Sequence, residues 1–149
     1  MHCYHTDEEL TKSIEEFAYD ADGYMIKRAF YNQADPSLSF EEFYVISNGL
    51  LKKKTYVTAG LPLYESRYTY GTTRNAYMLQ TSYAIWISPG LFGKTWTRVP
   101  TAVQTKNIQL GNIIEDVKYL YNTDNDDYVT SRTVKNEKDF TVSTTTIDY

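Results

Sequence analysis

Histidine, cysteine and long apolar stretches are nearly missing from this chain, and each absence closes a class of function. The only histidines are His2 and His5, at the N-terminus. Histidine is the usual base beside a nucleophile, so a Ser-His-Asp or Cys-His site in the body of the protein is excluded. Cys3 is the only cysteine. No internal disulfide can form, and cysteine use says nothing of the redox compartment. No apolar run is long enough for a transmembrane helix, and the first residues lack the apolar stretch of an export signal. A glycine-rich phosphate loop and a dinucleotide fingerprint are also missing. Net charge is only −4, which argues against nucleic acid as a partner, because a basic patch is the expected footprint.

The remaining chemistries are weak. His2, Cys3 and His5 are N/S ligands, but no second cluster exists to close a structural metal site. Asp20 and Asp22 before Gly23, and Asp124, Asp126 and Asp127, resemble calcium loops only in part. The twelfth position, which needs a bidentate Glu, holds Tyr31 in one case and Lys135 in the other. Asp is common in turns for its local hydrogen bonds, and that reading is preferred. Glu15/Glu16 and Glu41/Glu42 are sequence neighbours, so on strands they point to opposite faces and cannot flank one glycosidic bond. The expectation is a non-catalytic protein with no cofactor and no metal.

What the chain has is tyrosine: 15 of 149 residues, with 6 Phe and 2 Trp. Tyrosine suits a pleated, half-buried surface, its ring packed and its hydroxyl wet. Hairpin signals dominate. Phe17-Ala18-Tyr19 runs into Asp20-Ala21-Asp22-Gly23 and out through Tyr24-Met25-Ile26-Lys27, with Gly23 supplying a positive φ. Phe43 to Ser47 meets Asn48-Gly49, then Leu50 to Thr58, the strongest short hairpin signal. Asp35-Pro36 marks the loop between them. Tyr64 to Tyr70 reads as a strand and Gly71 to Asn75 as a turn. Tyr77, Leu79, Thr81, Tyr83, Ile85 and Ile87 then alternate with Met78, Gln80, Ser82, Ala84 and Trp86, as a half-buried strand does. Ser88 to Thr101, with Pro89, Gly90, Gly93 and Pro100, reads as irregular. Thr105 to Glu115 has no clean period and is assigned nothing. Tyr119 to Asn122 and Tyr128 to Val134 flank a polar turn, and Lys135 to Asp139 leads to a Thr- and Val-rich strand. Thr6-Asp7-Glu8-Glu9 fits a helical capping box, but the following residues lack a helical stripe. Asp7 to Glu9 is read as a hairpin turn, with Cys3-Tyr4-His5 ending a strand. The chain is then a single domain, 1–149, that begins inside a repeat array. Its fold class is all-β: an antiparallel meander of consecutive hairpins in one strongly twisted or partly closed sheet, of about eight to ten strands. Lys52-Lys53-Lys54 reads as a solvated or edge-protecting cluster.

The unit of aromatic strand, Tyr19-Asp20-Ala21-Asp22-Gly23 turn and returning Tyr24 is similar to the YD repeats of Rhs-type surface proteins. With Asn48-Gly49-Leu50, Leu91-Phe92-Gly93-Lys94, Pro100, Tyr119-Leu120-Tyr121 and Tyr128-Val129-Thr130, the chain from about Leu10 to Tyr149 resembles a family of Bacteroidota envelope lipoproteins with a domain of unknown function. The resemblance implies export to the cell envelope or periplasm and supplies no catalytic residues. Cys3 is not preceded by a lipobox.

A sheet without covering helices must curl or leave one face wet. A wet aromatic face can bind a glycan or a protein, and the candidate residues are Tyr77, Tyr83, Trp86, Phe92 and Trp96. The alternative is a structural module whose edge strands pair with another chain, as in an edge-strand homodimer. Leu91, Phe92 and Trp96 are expected to fold back as a plug over the sheet rather than to stand free. Trp96→Ala should then cost about 3–5 kcal/mol and lower the melting temperature markedly. A variant that melts like the parent would leave this loop as the leading binding site.

Overall fold

A computed structural model of the chain describes residues 2–7, 10–74, 98–125 and 129–146. The strands are β1 (His2–Asp7), β2 (Leu10–Tyr19), β3 (Met25–Asn32), β4 (Phe40–Ser47), β5 (Leu50–Thr58), β6 (Leu61–Arg74), β7 (Arg98–Asn107), β8 (Ile113–Thr123), β9 (Val129–Asn136) and β10 (Val142–Thr146). They form one sheet in sequence order, each antiparallel to the next. The expected meander of hairpins is the fold. β1 and β10 are its edges, and among the described residues they do not pair. The one helical turn described is a 3-10 segment, Pro36–Leu38, between β3 and β4.

Turn chemistry explains the order. Asn48 and Gly49 both have positive φ, 53° and 70°, as do Ala59 and Gly60, 49° and 75°. Two such residues match the twist of the flanking strands and close tight hairpins. At Asp20 the carboxylate accepts from the Asp22 and Tyr24 amides at 3.0 and 2.8 Å. That is the local use of aspartate expected at such a turn. β1 and β2 pair antiparallel, with Asp7 opposite Leu10.

Three readings are corrected. β6 continues through Gly71 to Arg74, where a turn was expected. Arg98 to Thr101 belong to β7 rather than to an irregular segment. Pro100 is tolerated there because the register against β6 shifts beside it, and a bulge spares the ladder a missing donor. Thr105 to Glu115 forms the β7–β8 hairpin, whose turn is held by the Asn107 carbonyl and side chain.

Register shifts interrupt every strand pair except β3–β4 and β9–β10. Each bulge adds twist and bend, so one face is the inward one. Phe17, Glu42, Leu51, Ser66, Pro100, Val103, Thr105 and Val117 are buried there. Among their strand neighbours, Glu41, Glu65, Arg67, Lys106, Asp116 and Lys118 carry charges outward. Leu51 is 1 % exposed, while Leu120, on the outward face of β8, is 64 % exposed. Leu51→Ala should therefore cost about 2–5 kcal/mol, and Leu120→Ala about 0.5 kcal/mol or less. Urea denaturation of the two variants checks the assignment of faces, which would be wrong if the costs were equal.

Candidate functional site

The inward face of β2 to β8 gathers the polar groups that could do chemistry. The register sets Phe17, Arg28, Glu42, Tyr56 and Tyr64 in one row across β2 to β6. Arg28 sits between two carboxylates: Nη2 is 2.6 Å from Glu15 Oε1, and Nη1 is 3.4 Å from Glu42 Oε2. Glu42 also receives the Tyr44 hydroxyl at 2.8 Å and Lys54 Nζ at 3.1 Å. Burial alone would raise the Glu42 pKa, but Lys54, Tyr44 and Arg28 outweigh it and hold the carboxyl below its ordinary 4.5. Burial likewise works against the charge on Arg28, and the hydrogen bond and charge of Glu15 more than offset it. A second chain of groups crosses β6, β7 and β8. Ser66 and Thr105 hydroxyls lie 2.9 Å apart, and Thr105 donates to Glu115 Oε2 at 2.9 Å. Thr105 has one proton, so Ser66 is its donor.

Burial keeps four inward phenols neutral: those of Tyr44, Tyr68, Tyr70 and Tyr121. Burial pushes the phenols of Tyr44, Tyr68 and Tyr70 far above their usual value, and that of Tyr121 up to about 12. Tyr121 donates to the Pro100 carbonyl at 2.8 Å. The Tyr70 hydroxyl is buried with no partner in hydrogen-bond geometry, although the Leu51 amide approaches it.

Aromatic side chains form a ladder rather than a platform. Phe30, Phe40, Tyr56 and Tyr64 follow one another across β3 to β6, with centroids 5.4, 5.4 and 6.0 Å apart. The first two contacts have interplanar angles of 23° and 25°. Rings this close and this parallel turn their faces to each other, which stabilises the sheet across strands. A sugar needs a free ring face, and Arg28 already lies over Phe40 at 5.3 Å.

The outward face is laced with ion pairs. Lys27 holds Glu41, Lys53 and Arg67 share Glu65, and Lys118 and Lys135 share Glu137. Glu41 and Glu42 thus serve opposite faces, as alternation requires. The lysine run is divided by the same rule. Lys53 pairs outward, Lys54 inward, and Lys52 lies over the Tyr70 ring at 5.5 Å. Because β5 is a central strand, these lysines protect no edge. An open depression on the outward face is lined by Glu65, Arg67, Gln104, Lys106, Gly111 and Ile113.

Tyr77, Tyr83, Trp86, Phe92 and Trp96 lie outside the described residues. What sequence reading missed is the Glu15–Arg28–Glu42–Lys54 network. Its signal was a charged residue at an inward position on each of four successive strands, and only the register brings those positions into line. Among the described residues no group of three His, Cys, Asp or Glu is placed to hold a metal.

The chain matches no protein-family profile and has no significant sequence match to a curated protein. Among solved structures it is similar to a porin-like protein from Bacteroides vulgatus. The identity is 13 % with a TM-score of 0.59, over 96 % of this chain and 68 % of that one. A porin-like protein from Bacteroides uniformis is matched at 14 % identity and a TM-score of 0.45, over 97 % and 73 %. The first likeness is one of fold.

A carboxyl with a depressed pKa stabilises the fold fully above its unfolded value and loses that contribution as pH falls through the folded one. Glu42 should therefore steepen the acid limb below about pH 4.5. Glu42→Gln should be less stable at pH 7 and lose less stability on acidification. Urea midpoints from pH 7 to 3, run on both proteins, measure this. Parallel limbs would remove Glu42 from the acid response.

Proposed function

We propose that this chain is a non-catalytic module of the bacterial cell envelope that works by assembly, a second copy adding its β10 to the exposed β10 edge. The observation that carries the reading is the composition of that edge. Val142, Ser143, Thr144, Thr145 and Thr146 are all exposed, and none is charged or proline. Their register on β9 runs without a bulge. Natural edge strands are usually blunted by lysine, proline or a bulge. A flat, uncharged, β-branched edge instead offers its free amides and carbonyls to another strand.

The inner face supports a non-catalytic role, because its carboxylates, Arg28, Lys54, Ser66 and Thr105 spend their bonds on one another. The fold likeness to a porin-like protein and the resemblance to envelope lipoproteins support the envelope setting. A pore through a bilayer is not part of this reading. A membrane barrel carries an apolar band facing lipid, and the described strands carry Lys27–Glu41 and Lys53–Glu65 there. Glycan recognition would fall to Tyr77, Tyr83, Trp86, Phe92 and Trp96, since the described aromatic ladder is stacked on itself.

Sedimentation velocity over a concentration series tests the assembly. The parent should form a reversible dimer, and Thr144→Lys with Thr146→Lys should shift it to monomer, because like charges meeting across paired strands are destabilising. A parent that stays monomeric, or a variant that associates equally well, overturns the reading.

A further inference from the structure

On the outward face of β5 to β7 three cations converge on one carboxylate. Glu65 spends Oε2 on Lys53 at 3.4 Å and Oε1 on Arg67 Nε at 2.8 Å. Lys106 stands opposite Glu65 in the β6–β7 register, yet both oxygens are taken, and its ammonium pairs with no described residue. Arg67 binds through Nε alone, which leaves both of its Nη groups without a described partner on a side chain that is 75 % exposed. The next carboxylate, Asp116, lies opposite Gln104 and accepts from its Nε2 at 3.1 Å. Three cations against two carboxylates leave a local positive surplus on a chain of net charge −4.

These groups line a hollow rather than a flat face. Its volume is about 340 Å³, within the range of small-molecule sites. The β7–β8 register shifts between Thr105 and Lys106, and such a bulge bends the strands beside it. Gly111 borders the hollow with a φ of +73°, and nothing lies within 4 Å of where its side chain would begin. Ile113, opposite Lys106, is 43 % exposed and supplies an apolar wall.

We infer that this depression binds a sugar acid of the hexuronate kind, held by its carboxylate. The two Nη groups of Arg67 present the planar fork that suits a carboxylate, and Lys106 adds a point charge. Gln104 keeps its Oε1 as an acceptor for ring hydroxyls, and Ile113 covers the C–H side of the sugar. The other small acids fit less well. The ammonium of an amino acid needs a carboxylate, and both oxygens of Glu65 already face cations. An aromatic acid finds no ring in the lining to stack on. A neutral sugar leaves the charges of Arg67 and Lys106 unanswered.

Calorimetric titration of the parent with D-glucuronate tests the inference, at low ionic strength because salt screens exposed charges. Saturable binding of one glucuronate per chain is expected. Glucose and inorganic phosphate should each bind at least about tenfold more weakly, since neither combines the charge with the hydroxylated ring. Lys106→Gln should weaken glucuronate binding at least about tenfold, and so should Arg67→Lys, which keeps the charge and loses the fork. Both side chains are exposed, so circular dichroism should show the fold kept. Lys135→Gln, on the same face outside the depression, should bind like the parent. Thr144→Lys with Thr146→Lys should do the same, which separates this test from that of β10 assembly. A parent without saturable binding, glucose or phosphate bound as tightly as glucuronate, or a Lys106→Gln variant that binds like the parent overturns it.

Discussion

Everything in this protein follows from having one sheet to serve as both core and surface. With ten antiparallel strands in sequence order and no α-helix described to cover them, the alternation of side chains must sort dry from wet by itself. The bulges that recur from hairpin to hairpin resolve this by bending the sheet toward one face. That face is not oily. It buries Glu42, Ser66 and Thr105 beside Leu51, Val103 and Val117, and it can do so because each polar group meets a partner on a neighbouring strand. Buried polar groups cost stability when unpaired and specify geometry when paired.

The Arg28 cluster shows how this restrains the register. Glu15, Arg28, Glu42 and Lys54 come from four successive strands. Slipping any one strand by a residue would turn its charge outward and strand the others. The stacked ladder of Phe30, Phe40, Tyr56 and Tyr64 repeats that constraint with rings. An inner face committed in this way has little left for a ligand. Surfaces with unspent capacity lie at the boundaries, on the β10 edge and in the depression beside the β7–β8 turn.

The hairpins were legible where turn residues and alternation agree, as at Asn48-Gly49 and Asp20 to Gly23. They were illegible where one local signal opposed the tertiary outcome. Pro100 argued against a strand and was accommodated by a bulge. Ile108 and Leu110 hid the β7–β8 turn, because apolar residues in a turn look like core; the residues that obscured the hairpin are those that stand exposed at the turn. Neither the charged network nor the aromatic ladder could be read, since their members lie on separate strands and meet only once register is fixed. The candidate aromatic residues between Tyr77 and Trp96 fall outside the described residues.

The proposed role puts the protein's action at its boundaries and leaves the inner face to hold the sheet together. Amide hydrogen exchange, followed strand by strand at rising protein concentration, tests it most directly. Exchange in β3 to β8 should be slow and independent of concentration, while β10 amides should gain protection as concentration rises. Protection that grows in β4 to β6 while β10 stays unchanged would contradict the account, because it would mean that the inner face is what another molecule covers.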